Sequence, residues 1–153
     1  DYEPGPGDAC RSGGGCRAAG GVSLNTIRAA LSAQMATITG LRCHDTFPQR
    51  IEPPAAFIGS MRREPSQSFE NTSTVTYEVF VLLSQADLGR QIEGLDDYAD
   101  SSGAKSVEAA LIASPTLAGT ASSAVLTNVT VPVTVEVAGT PYVAAQFDIE
   151  VFY

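Results

Sequence analysis

Cys43-His44-Asp45 is the stretch where a thiol, an imidazole and a carboxylate stand side by side. Converged in space, they would supply a nucleophile, a base and an acid to orient it. Residues 41–47 read as a short strand that Pro48 ends, however, and neighbouring side chains of a strand point to opposite faces. Cys43 and His44 therefore do not meet as a dyad, nor do His44 and Asp45. His44 is the chain's single histidine, and no Gly-x-Ser-x-Gly elbow offers it a distant serine. A zinc site needs about four ligands, which one histidine and three scattered cysteines do not assemble. Asp96, Asp97 and Asp100 suggest calcium, but they fall on a helix face rather than in a glycine-containing ligand loop. Gly13-Gly14-Gly15 lacks the Gly-Lys-Ser/Thr that completes a phosphate loop, and no strand precedes it. The expectation is a non-enzymatic chain with no catalytic residue, metal or cofactor.

The elements that carry these residues form two zones. Residues 1–21 hold half of the 14 glycines, two prolines and almost nothing apolar, the composition of an arm or linker that a neighbouring subunit would have to hold. Cys10 and Cys16 are near enough to bridge across the loop between them; in a reducing cytoplasm they are free thiols, as is Cys43. Residues 22–153 read as a single domain, long enough for a real core.

The domain is organised around residues 122–153. Val125, Val129, Val131, Val133, Val135 and Val137 occupy odd positions of a first arm, and Val143, Ala145, Phe147, Ile149, Val151 and Tyr153 those of a second. This period of two predicts a hairpin with one dry face. If both arms turn odd residues inward, the loop holds an odd number of residues unless a bulge intervenes, and Gly139-Thr140-Pro141 fits.

Upstream, Ser23 caps a helix running to about Thr39, with Leu24, Ile27, Leu31, Met35 and Ile38 as its apolar stripe and Gly40 as its end. Strands follow at 41–47, 55–61 and 72–84. Asp87 caps a second helix with Leu88, Ile92, Leu95 and Tyr98 or Ala99 inward. Ser106 caps a third, with Val107, Ala110 and Leu111 inward and Pro115 beyond its end. The fold class is α+β: a mainly antiparallel sheet with two to three helices packed on one face and a C-terminal β-hairpin.

The net charge is −8. That argues against nucleic acid as an adhesive partner, because neutralising phosphates takes clustered Lys and Arg. No apolar run approaches the roughly 20 residues that span a bilayer, and no signal-peptide pattern is visible, so no membrane partner is expected. The polar connection 62–71 is either a solvated hairpin loop or a contact loop. In the second case Arg62, Arg63, Glu64, Phe69 and Glu70 form a subunit interface, two adjacent arginines being suited to an intersubunit ion pair.

The succession Thr76-Tyr77-Glu78-Val79-Phe80-Val81-Leu82, Gln91-Ile92-Glu93-Gly94-Leu95-Asp96-Asp97-Tyr98, Gly103-Ala104-Lys105-Ser106-Val107-Glu108-Ala109-Ala110-Leu111 and Thr116-Leu117-Ala118-Gly119, closed by a hairpin, resembles the tail terminator (tail completion) proteins of long, non-contractile-tailed bacteriophages. The likeness covers about residues 22–153 and leaves the Gly-rich arm unexplained. It implies a homo-oligomer, a hexameric ring in the tail-neck region of the virion. Such a ring stops tail-tube polymerisation and docks to the head–tail connector or stopper protein. DNA would pass its lumen without specific binding, and acidic walls suit such a bore. Glu93, Asp96, Asp97 and Asp100 are the candidates for the wall, and on the same resemblance the loop with Arg62, Arg63, Glu64, Phe69 and Glu70 is the candidate contact with the tail tube or the adjacent subunit. A head-completion or stopper protein would share the size and acidity. A host-surface carbohydrate-binding β module is the third reading, weakened by the lack of Trp.

Overall fold

The computed structural model describes residues 22–65, 72–83 and 88–153. Its elements run α1 (Leu24–Met35), β1 (Arg42–His44), β2 (Ala55–Glu64), β3 (Thr74–Leu82), α2 (Leu88–Ala99), α3 (Val107–Ala113), β4 (Ser123–Val137) and β5 (Thr140–Phe152). The strands form one sheet in the order β1-β2-β3-β5-β4. All pairings are antiparallel except β1 with β2, which is parallel. The α+β class, the mostly antiparallel sheet and the C-terminal strand pair are as expected from the sequence.

The helices cover one face. Ile27, Leu31 and Met35 of α1, Leu95 and Tyr98 of α2, and Val107 and Leu111 of α3 pack on Val75, Tyr77, Val79, Phe147 and Ile149 of the sheet. Burying each such side chain contributes about 1.5–3 kcal/mol before chain entropy is charged against it. Polar bonds fix the register of this layer. The Tyr77 hydroxyl donates to the Leu24 carbonyl at 3.0 Å, and the Gln34 amide donates to the Ala110 carbonyl at 2.7 Å. Ser23 and Ser106 cap α1 and α3 as predicted, accepting from the Thr26 and Ala109 amides.

Three expectations change. Helix α1 stops at Met35 rather than near Thr39, because Thr37 and Ile38 bond back only three residues and tighten the chain toward Gly40, at φ +80°. Strand β1 is limited to three residues. Strand β2 runs on to Glu64, so Arg62, Arg63 and Glu64 are strand residues paired with Thr76, Val75 and Thr74; charge alone had marked them as loop. The predicted cap Asp87 lies outside the described residues.

The hairpin differs most. Its turn is Ala138-Gly139, with Val137 paired to Thr140, and both turn residues have positive φ (50° and 81°), the backbone that a two-residue twisted hairpin needs. Register shifts lie between Leu126 and Asn128 and between Thr130 and Val133. Each shift slides β4 by one residue against β5, which swaps the faces of its side chains. Ala124, Leu126 and Val129 thus serve the helix-covered core, whereas Val135 and Val137 turn to the other face. There Val137 joins Ile51, Ala55, Phe57, Leu82 and Ala144 in a second, smaller core, flanked by Phe80 and Tyr142. The sheet is dry on both faces at this end.

Candidate assembly interface

The predicted site residues fall in two separate places. Arg62, Arg63 and Glu64 occupy the outer end of β2, all exposed. The register puts Arg63 on the helix-bearing face beside buried Val75, and Arg62 on the opposite face beside Thr76. The two arginines are therefore not one basic patch. Phe69 and Glu70 lie outside the described residues.

Glu93, Asp96, Asp97 and Asp100 do share a surface, since steps of three and four residues keep one side of α2 together. All four are exposed. The other side of α2 buries Leu95, Tyr98 and, unexpectedly, Gln91. Gly94 sits so close to β3 that a Cβ there would come within 2.6 Å of Leu83 Cδ1. The loop after α2 folds back on the ridge: Lys105 reaches Asp97 at 3.5 Å, and the Asp100 carbonyl accepts from the Ser106 hydroxyl. Both partners of the Lys105–Asp97 pair are about half exposed, where an ion pair contributes little. Asp97, Asp100 and Lys105 line a shallow recess of about 180 Å³. No group of three metal-ligating side chains occurs among the described residues.

The motif residues of 91–119 form one continuous unit: α2, a loop through Gly103 at φ +116°, α3, and a turn in which Leu117 is buried while Gly119 sits at φ +84°. Beside it a groove of about 280 Å³ opens between α3 and the start of β4, flanked by Ile112, 67% exposed, and Val125, 47% exposed. The α3 stripe of Val107, Ala110 and Leu111 already implied that Ile112 points away from the core. The alternation of residue types places Val125 inward, and the register shift between Leu126 and Asn128 turns it out.

Cys43, His44 and Asp45 are not gathered into a site. Burial pushes the Cys43 thiol up to about 11, which makes it a poor nucleophile near neutrality. Asp45 offers its backbone carbonyl, not its carboxylate, to Arg28 at 3.3 Å. In the native protein at pH 8, Cys43 should alkylate roughly 100-fold more slowly than in denaturant, the ratio expected from a thiol raised from 9 to about 11. The associated stability is complete below pH 9 and is lost as pH rises toward 11, because the unfolded chain ionises first. Alkylation at equal rates in the two states would contradict the placement.

No protein-family model matches the chain, and no curated protein matches it. No helix among the described residues is long and apolar enough to cross a membrane.

Proposed function

We propose that this chain is a structural subunit of a phage tail neck, a tail terminator that closes into a ring on the tail tube, ends its polymerisation and meets the head connector. The observation that carries the reading is the motif unit at 91–119. The residues behind the resemblance are not scattered: they cap, turn and pack one helical layer against the C-terminal hairpin. This layer presents the acidic ridge outward, away from its own core. In a ring, a ridge of that sign at the bore would repel phosphates and keep DNA moving.

Reversing the ridge tests its part in the reading. Changing Glu93, Asp96, Asp97 and Asp100 together to Lys moves the net charge from −8 to 0. The variant should then retain double-stranded DNA at physiological salt with the roughly 10⁻⁴–10⁻⁶ M affinity of non-specific binding, while the unaltered protein does not. An assembled ring that carries these four residues on its outer surface would remove the ridge from the bore. For the assignment itself, purified protein added to polymerising tail-tube subunits should bind tube ends and halt growth. Association with filled heads but not with tails would instead favour a head-completion or stopper protein.

A further inference from the structure

We propose that the outer edge of β2 in one copy pairs with the outer edge of β4 in the next, joining the sheets head to tail around the ring. The inference rests on the ring reading and adds the surfaces that close it.

Both outer edges are open over part of their length. Strand β1 covers β2 only at Ala55, Ala56 and Phe57, so from Ile58 to Glu64 no described strand lies on its outer side. Strand β4 ends the sheet on the other side. Its beginning is tied down, the Ala124 amide donating to the Pro115 carbonyl at 2.7 Å. Its middle is interrupted by the register shift at Pro132, which also lacks an N–H. Residues 133–137 form the regular free length. Unpaired edges of this kind are templates for another strand.

Charge decides the partner. Residues 106–153 contain no Lys or Arg, and the β4/β5 pair carries Glu136, Asp148 and Glu150; on the free β2 edge two arginines outnumber one glutamate. Pairing β2 with β2 of a second copy, in antiparallel registers centred on residues 61, 62 or 63, places an arginine opposite or diagonal to its own counterpart, a destabilising arrangement. The β2–β4 pairing avoids this. Crossing from β2 through β3 and β5 to β4 reverses direction three times, so successive copies around an axis along the strands meet antiparallel.

The faces agree as well. Arg63 shares the helix-bearing face with Val75, and Glu136 shares it too, since Val135 and Val137 on either side belong to the second core. Laying 60–64 along 137–133 with like faces together sets Met61 opposite Glu136, Arg63 opposite Thr134, and Arg63 diagonal to Glu136, within reach of long side chains. A head-to-tail contact of two different edges closes into a ring when its rotation closes.

The test uses the full chain and reads its assembled fraction by native mass. Arg63→Glu and Glu136→Arg should each raise the concentration for half-assembly about tenfold or more, and the two together should restore it to within about threefold. In a second form, Arg63→Cys with Thr134→Cys, on a chain carrying Cys10→Ser and Cys16→Ser, should give a covalent ladder on oxidation, and neither single cysteine should. Several results overturn the edge pairing while leaving the ring intact: reversals without effect, a double reversal no better than the singles, R63C dimers alone, or an oligomer without a ladder. An unaltered chain that stays monomeric overturns the ring reading and the pairing with it.

Discussion

Phe147→Ala should destabilise the protein by about 3–5 kcal/mol, the range for removing a large aromatic side chain from a core that relaxes only partly around the void. Phe147 lies on the central part of β5 between Val79 of β3 and Val129 of β4, fully buried under the helical layer. It is where the hairpin and the helices share atoms, so little can move to fill the space. Domains of this size are stable by about 5–15 kcal/mol, and a loss of this order removes a large fraction of that. Urea unfolding at a fixed protein concentration reads it as a lower midpoint with an unchanged slope. A loss below about 1 kcal/mol would mean that β5 does not turn Phe147 toward the helices.

Phe57→Ala should cost about 3 kcal/mol, the low end of the same range, because the second core is smaller and partly open. The Phe57 ring is 1% exposed, stacked on Phe80 at 5.3 Å and met edge-on by Phe47 at 4.9 Å. Phe47 is itself 54% exposed, so Phe47→Ala should cost under about 1 kcal/mol. Comparing the two variants isolates the face opposite the helices. Were that face solvated, as in a sheet dry on one side only, the two losses would be equal and small.

That second core also marks where the sequence stopped being legible. The alternation of β4 and β5 announced both strands, and the helix caps at Ser23 and Ser106 were readable because a hydroxyl stood just before an apolar period. A bulge leaves the alternation of residue types untouched while it exchanges the faces they point to. The run Val129, Val131, Val133, Val135, Val137 therefore looks like one stripe, although its later members turn to the opposite side. Pro132 was the one signal, an imino acid in mid-strand that fits an edge with a register shift. Phe80 and Leu82 hinted that β3 was dry on both sides, and the same two residues sit in or beside the second core.

The candidate site was legible in part. The acidic spacing on α2 gave a single exposed ridge, because helical periodicity follows directly from residue numbers. Arg62 and Arg63 were misread as a shared loop patch: their charge outweighed the fact that β3 offers pairing partners as far as Thr74. Strand periodicity then splits the two arginines between faces. The open edges of β2 and β4 could not be read at all, since strand order is a property of the folded sheet and not of any local pattern.

Self-association is what a ring subunit must do, and native mass spectrometry of the chain over a wide concentration range reads it without any partner. The prediction is a discrete species of six chains, with few intermediates, that dissociates to monomer on dilution. A single monomeric species at every concentration, with or without tail-tube protein present, would contradict it.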